Sequence, residues 1–257
     1  MLDIQTIIKN SVNARADSMA QAKIAPRFRY PIDADTAARM LAAAYRVEVE
    51  ARHRTFTMDA GTQDKIAHAA RWLTDATLPP SLLLYGSMPG TGKTTLALAI
   101  RRASLELKTA YGTSGLNDAR RLCAKAGEML PRDFEKVLDR RKAAVLWPEY
   151  HTARDLVTMA TAADAAQRRT YDYATNCSCL IIDDLGTEPV EVNNYGTRVT
   201  PLLDLLYTRY DAMKPTIITT NFGKNQIAET YGARLFDRLC EMSCRINYGG
   251  NQSYRVL

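Results

Sequence analysis

The chain has 257 residues, of which 46% are hydrophobic and 24% charged, and its formal net charge is +6. This composition excludes a disordered or membrane-embedded protein, and the length accommodates one α/β core with a small accessory domain. The excess of Lys and Arg fits a polyanionic partner such as nucleic acid without requiring one. The chain starts without a signal-peptide segment, and no apolar run approaches membrane-spanning length, so we expect a cytoplasmic protein with no membrane contact.

The cysteine and histidine positions argue against a zinc site. The five cysteines contain no C-x-x-C pair, and the three histidines are scattered along the chain. Such an odd number of cysteines in a cytoplasmic protein indicates reduced thiols, most of them buried.

Residues 1–54 predict a small helical N-terminal domain. From Asp33 onward the apolar residues recur at helical spacing, at Ala38, Leu41, Tyr45 and Val49. This amphipathic helix either docks a partner or packs onto its own domain. We expect the main domain to occupy residues 55–257 and to start with a helix near 59–73, which two prolines at 79 and 80 separate from the next element.

The next stretch has the layout of a strand, a phosphate-binding loop and a helix. An apolar segment, 81–85, leads into a Gly-rich turn and then into an Ala- and Leu-rich helix that opens with Lys93. Glycines let backbone amides curl around a polyphosphate, and the helix N-terminus attracts the same oxygens. Lys93 is predicted to contact the β- and γ-phosphates and Thr94 to bind Mg²⁺. The residues predicted to surround the nucleotide phosphates are Gly86, Pro89, Gly90, Thr91, Gly92, Lys93, Thr94 and Thr95.

The loop departs from the usual pattern at one position. The motif G-x-x-x-x-G-K-[ST] requires a glycine at position 87, where this chain has Ser87, and the nearest glycine is Gly86. Either the loop carries an extra residue or the serine replaces the glycine. The alternative to a nucleotide site is an ordinary Gly-rich turn between a strand and a helix.

Residues 112–142 predict a helical, strongly basic insertion, and 143–147 predict a second core strand. Farther along, basic residues stand beside tyrosines at 167–173. This pattern fits single-stranded nucleic acid, and it equally fits a solvated helix surface.

Polar residues follow two further predicted strands. The apolar segment 179–182 leads into Asp183 and Asp184, and the segment 215–220 leads into Asn221. Because parallel strands deliver their carboxyl ends to one crevice, Asp183 is predicted to bind Mg²⁺ and Asp184 to polarise the attacking water. Asn221 is predicted to orient the water or the γ-phosphate. The alternative is that these polar residues only cap turns.

Two arginines lie on a predicted helix over 233–242. Its residues Leu235, Leu239 and Met242 face inward, which places Arg234 and Arg238 at one edge of the apolar stripe. An arginine in this position either reaches the γ-phosphate in a neighbouring subunit or pairs with acids on its own surface. The predicted elements end with a strand at 245–248.

In this order, the motifs resemble the AAA+ ATPases of the DnaC helicase-loader and IstB transposition-helper group, over roughly residues 55–255. The matching stretches are Pro-Gly-Thr-Gly-Lys-Thr-Thr, Leu-Ile-Ile-Asp-Asp-Leu-Gly-Thr-Glu, Thr-Ile-Ile-Thr-Thr-Asn, Tyr-Gly-Ala-Arg-Leu-Phe-Asp-Arg-Leu and Ser-Tyr-Arg. The resemblance implies an α/β fold of the AAA+ P-loop NTPase type, with a five-stranded parallel sheet flanked by helices and a small helical N-terminal domain, residues 1–54, that binds a protein partner. It also implies ATP and Mg²⁺ as cofactors and an ATP-dependent homo-oligomer. The implied ligand is single-stranded or duplex DNA.

The resemblance assigns roles to individual residues. Asn221 matches sensor 1, Arg238 matches the arginine finger with Arg234 as the alternative, and Arg255 matches sensor 2, a nucleotide-binding position. It implies an ATPase that loads a replicative helicase or one that assists a transposase, and residues 1–54 do not decide between these partners. Two functions of other classes are less favoured. A nucleotide-dependent binding module with little hydrolysis would not need the full set of Lys93, Asp183, Asp184, Asn221 and Arg238, and a P-loop kinase would need an acceptor-binding segment that the sequence does not show.

Overall fold

A computed structural model describes residues 29–143, 145–194, 196–249 and 254. The strands in chain order are β1 (Ser81–Tyr85), β2 (Pro148–Thr152), β3 (Cys179–Leu185), β4 (Val192–Asn194), β5 (Thr197–Val199), β6 (Thr216–Thr220) and β7 (Ser243–Asn247). Five of them form one sheet in the order β2-β3-β6-β1-β7, with every neighbouring pair parallel, and β4 and β5 form a separate hairpin. This arrangement confirms the predicted α/β class and its five-stranded parallel sheet.

Helices cover both faces of the sheet. They are α1 (Ala34–Glu50), α2 (Ala60–Thr74), α3 (Lys93–Ala110), α4 (Thr113–Ala126), α5 (Phe134–Ala143), α6 (Ala153–Ala160), α7 (Ala165–Asn176), α8 (Pro201–Asp211), α9 (Lys224–Tyr231) and α10 (Ala233–Met242). Aspartates fix the starts of the first two, because Asp33 accepts a hydrogen bond from the Thr36 N–H and Asp59 one from the Thr62 N–H. The predicted helical stretch 112–142 forms α4 and α5. Within the described residues, no helix combines the length and the apolar character needed to cross a bilayer.

Strand β1 is buried on both faces and joins two hydrophobic cores. Leu82 and Leu84 pack into the core beneath α1, α2 and α3, whereas Leu83 and Tyr85 pack into the core on the opposite face. Successive strand residues point to opposite faces, so an unbroken apolar run suits a central strand covered on both sides. The turn that follows β1 is therefore held at the carboxyl edge of a rigid sheet.

Helix α1 packs on the main core. Leu41 and Tyr45 are buried in the same cluster as Leu82 and Ile100, and α1 contacts both α2 and α3. The part of residues 1–54 that the structure describes therefore shares its hydrophobic core with the sheet. The domain boundary at residue 54 and the partner-binding role stay predictions, and residues 1–28 lie outside the described residues.

The prediction of a second core strand at 143–147 was wrong, since β2 begins at Pro148. Val145 and Leu146 are buried, but they belong to the connection that leads into the strand. Strand β2 lies at the sheet edge and pairs only with β3, and after Pro148 its residues are half-buried. An edge strand tolerates polar residues, so its sequence lacks the apolar run by which central strands are recognised.

Candidate nucleotide-binding site

The turn between β1 and α3 is shaped by three glycines. Gly90 and Gly92 have φ values of 77° and 95°, in the left-handed region that side chains disfavour. Gly92 also lies against the hydroxyl of Tyr45, which leaves no room for a Cβ atom. The turn therefore presents backbone amides at the start of α3, as a phosphate-binding loop requires.

The third glycine, Gly86, explains how the loop accommodates Ser87. Gly86 has a φ of 149°, and a Cβ atom there would lie 2.8 Å from the Tyr248 carbonyl carbon and 2.9 Å from the Gly249 nitrogen. Among the described residues, those other than glycine with positive φ are His53, Asp184 and Met213, so Ser87 has an ordinary backbone conformation. The close approach that requires glycine falls one residue earlier than the motif places it.

The Lys93 side chain is held at the inner surface of the turn. Its Nζ donates hydrogen bonds to the carbonyl oxygens of Gly86 at 3.0 Å and Met88 at 2.9 Å. The same ammonium lies 5.7 Å from the centre of the Tyr248 ring, and the residue is only 5% exposed. The amine therefore lies at the loop where the sequence predicts contact with the β- and γ-phosphates, and that contact stays a prediction.

Asp183 connects three strands to the phosphate loop. Its Oδ1 accepts hydrogen bonds from the Thr94 hydroxyl at 2.9 Å and the Thr219 hydroxyl at 2.6 Å, and its Oδ2 accepts one from Tyr150 at 2.7 Å. Burial raises the pKa of Tyr150, and its bond to the carboxylate raises it further. A carboxylate that is 3% exposed needs such donors to offset its desolvation. The structure thus brings Thr94 and Asp183 together, and their binding of Mg²⁺ stays a prediction.

Asp184 reaches the same pocket because the strand is irregular there. The pairing of β3 with β6 shifts register between Ile182 and Leu185, and Asp184 has a φ of 55°. Its N–H donates a hydrogen bond to the Thr219 hydroxyl at 2.9 Å. Consecutive residues of a regular strand point to opposite faces, whereas this bulge lets both carboxylates line one pocket. A non-glycine residue in this conformation stores local strain, which is common at functional sites.

A pocket of about 760 Å³ opens above these residues. It is lined by residues 89–95, Asp183, Asp184 and Asn221, all of which the sequence placed at the site. Of the predicted nucleotide-binding residues, Gly86 lies just behind the lining and holds the Lys93 amine through its carbonyl.

Side chains from α1 and the segment after it also line the pocket, and sequence reasoning missed them. These are Tyr45, Val49, Arg52, Arg54 and Phe56. The Arg52 guanidinium donates a hydrogen bond to the Thr95 hydroxyl at 3.2 Å, which ties this segment to the start of α3. In the sequence, the only feature that could have indicated their role was the pair of arginines, Arg52 and Arg54, shortly after an amphipathic helix.

The two candidate arginine fingers lie outside the pocket lining of their own chain. Arg234 is exposed, whereas the Arg238 guanidinium stacks on the rings of Tyr207 at 4.8 Å and Tyr210 at 4.9 Å. Arg238 also lies 4.0 Å from Asp211. The structure therefore gives Arg238 aromatic neighbours on α8, an arrangement that the sequence did not predict.

Arg255 lies outside the described residues, but its neighbour Tyr254 is at the pocket. The Tyr254 N–H donates a hydrogen bond to the Gly90 carbonyl at 3.0 Å, and its hydroxyl donates one to Asp59 at 2.6 Å. Burial raises the pKa of Tyr254, and the bond to Asp59 adds to this effect. Tyr254 is thus anchored to the phosphate loop.

The donor set fits a nucleoside triphosphate with magnesium. Lys93, Arg52 and Arg54 place positive charge around a turn that exposes amides, which suits a polyphosphate. The Thr94 hydroxyl and the Asp183 carboxylate supply the hard oxygen ligands that Mg²⁺ prefers. The pocket therefore combines an anion-binding turn with a cation-binding pair.

Comparisons with known proteins found related folds only among solved structures. No family model matches the chain, and no curated protein matches it. The structure of the DnaC helicase loader is 18% identical over 75% of this chain and 93% of that one, with a TM-score of 0.44. DnaI is 18% identical over 82% of this chain and 93% of that one, with a TM-score of 0.47. A DNA replication initiation factor is 16% identical over 75% of this chain and 47% of that one, with a TM-score of 0.42.

Proposed function

We propose that this chain binds ATP with Mg²⁺ and hydrolyses it. The observation that carries the proposal is the 2.9 Å hydrogen bond from Thr94 to Asp183, made beside the Lys93 amine and the glycine-rich turn. If this were an ordinary Gly-rich turn, no hydrogen bond would be expected between the helix that follows it and a buried carboxylate on a strand two positions away in the sheet. A P-loop NTPase needs this juxtaposition, because one residue pair must bind the metal next to the phosphates.

Each residue of the pocket has a role in this proposal. Lys93 and the amides of the turn bind the β- and γ-phosphates, and Thr94 and Asp183 hold the magnesium ion, which neutralises phosphate charge when bound. Asp184 accepts a proton from the attacking water, and Asn221 orients that water or the γ-phosphate. Tyr45, Val49 and Phe56 form the apolar part of the pocket, against which the rest of the nucleotide packs.

The test of ATP hydrolysis uses Lys93→Ala with Lys224→Ala as a matched control. Lys224 is exposed and outside the pocket lining. We expect Lys93→Ala to lose ATP binding and turnover while circular dichroism shows an intact fold, and Lys224→Ala to match the wild type. Wild-type turnover no faster than that of Lys93→Ala, with and without single-stranded DNA, would refute the enzymatic proposal.

We further propose that the ATPase acts as a helicase loader on DNA, as the motif order suggests. The supporting features are the net charge of +6 and the arginines of α10, which lie outside the pocket lining of their own chain and so suit contact between subunits of an ATP-dependent homo-oligomer. In this proposal, residues 1–54 bind the replicative helicase. The alternative, an IstB-like helper of a transposase on duplex DNA, uses the same ATP site. Co-purification with a hexameric replicative helicase and, separately, with a transposase, each with ATP, distinguishes the two partners.

A further inference from the structure

A basic and aromatic surface lies on the described chain away from the nucleotide pocket. It consists of Arg101 and Lys108 on α3, Tyr111 directly after α3, Arg141 on α5 and Trp147 before β2. The pocket that holds the phosphate loop is lined by none of these residues. Of the helices in the predicted insertion, α5 thus contributes Arg141 to a surface that it shares with α3.

Each aromatic ring of this surface lies close to one or two cationic side chains. The Trp147 ring centre lies 5.7 Å from the Arg101 guanidinium carbon and 5.4 Å from the Lys108 amine, and the Tyr111 ring centre lies 5.9 Å from that of Arg141. Arg101 and Lys108 are about two helical turns apart, so the indole lies along α3 between them. Both rings are partly exposed.

The cations of this surface form no salt bridge with any carboxylate in the described part of the chain. Among the described residues, the salt bridges involve other side chains, and none includes Arg101, Lys108 or Arg141. An open groove of about 630 Å³ continues the surface, and its lining includes Arg29, Arg141 and Tyr111 together with one carboxylate, Asp33. Cations without salt bridges that lie beside partly exposed rings, with a groove next to them in which two arginines face a single carboxylate, favour a polyanion as the occupant.

We propose that this surface binds single-stranded nucleic acid. Phosphates lie along Lys108, Arg141 and Arg101, and a base stacks on Trp147, because a basic groove with aromatic side chains is how proteins bind single strands without reading their sequence. A duplex keeps its bases stacked inside and leaves the indole without a partner. The proposal rests on the proposed function only for the assignment of a nucleic acid as the ligand, since the ATP site is separate.

Fluorescence offers a direct test, because the chain has two tryptophans and Trp72 is 1% exposed. We expect oligo(dT) to quench the emission of the wild type but not that of Trp147→Phe. By anisotropy, we expect Trp147→Ala to bind oligo(dT) about tenfold more weakly and Trp147→Phe, whose ring still stacks on a base, to lose less. Unchanged emission on binding, or full affinity of Trp147→Phe and Trp147→Ala, would overturn the proposal.

The charge contribution is tested with Lys108→Glu/Arg141→Glu. We expect the slope of log affinity against log salt to fall by about 1.4, since each phosphate contact to a single strand contributes about 0.7. The control is Arg198→Glu/Lys224→Glu, which changes the net charge equally at exposed residues that line neither the groove nor the nucleotide pocket. A loss in the control as large as in the test variant, or tighter binding of duplex than of oligo(dT), would contradict the assignment.

Basal ATP hydrolysis without DNA separates this proposal from the proposed function. We expect both double variants to hydrolyse ATP at the wild-type rate. If oligo(dT) quenches the wild-type emission but the wild type never hydrolyses ATP, the proposed ATPase is refuted and the proposed nucleic-acid surface is supported. If the wild type hydrolyses ATP but shows no quenching, the nucleic-acid surface is refuted and the ATPase is supported.

Discussion

Replacement of Gly86 by alanine tests the account of the phosphate loop. The backbone at Gly86 has a φ of 149°, and the new Cβ would meet main-chain atoms of Tyr248 and Gly249 at 2.8 and 2.9 Å. The left-handed conformation costs about 1–2 kcal/mol for a side chain, and overpacking against backbone costs about 1–3 kcal/mol more. We therefore expect Gly86→Ala to lower the free energy of unfolding by about 2–5 kcal/mol, whereas Ser87→Gly should change it by less than about 1 kcal/mol.

Urea denaturation followed by circular dichroism measures these values. Gly127→Ala is the matched control, because Gly127 has a φ of 72° but open space around its Cβ position. It should lose only about 1 kcal/mol, the conformational part of the effect. If Gly86→Ala proved as mild as Gly127→Ala, or if Ser87→Gly stabilised the protein strongly, the assignment of the required glycine to position 86 would be wrong.

Further predictions concern the acids, the candidate finger and pH. Asp184→Asn should keep the fold, since Asn tolerates a positive φ, and should bind ATP without hydrolysing it. A mixture of this variant with Arg238→Ala should regain turnover if the arginine finger acts between subunits. Turnover no higher than in either variant alone would refute that role. Tyr150→Phe should lower the free energy of unfolding by about 1.5–3 kcal/mol in urea titrations, because Asp183 loses a donor, and a change within error would argue against that bond. Burial lowers the pKa of His151 in the folded protein, so the unfolded chain binds a proton more readily there. Thermal stability should therefore fall as the pH drops below about 6.5, and it should fall less in His151→Gln. Parallel pH profiles of the two proteins would contradict this.

The parts of the site predicted from sequence are those that strand direction determines. Asp183 and Asn221 follow apolar segments that had to be central strands, and parallel strands bring their carboxyl ends to one edge. The same reasoning placed Lys93 and Thr94 beside them, at the start of the helix after β1. Local pattern and topology agree at these residues, so the prediction needed no tertiary detail.

The missed features depend on tertiary contacts that leave little trace in the sequence. Tyr45 and Arg52 reach the pocket only because α1 packs across α3, and an amphipathic pattern does not reveal what its apolar face covers. Tyr150 lies on an edge strand, and the polar residues of that strand leave no apolar run by which the strand could be recognised in the sequence. The stacking of Arg238 on Tyr207 joins two helices distant in sequence, which spacing within one helix cannot show.

The most direct test of the central claim is a crystal structure with Mg²⁺ and a slowly hydrolysed ATP analogue. We predict that the triphosphate lies on the amides of residues 90–94, with the metal between the Thr94 hydroxyl and the Asp183 carboxylate. A triphosphate bound elsewhere, for example in the groove of Arg29 and Arg141, or a metal that contacts neither residue, would contradict the account.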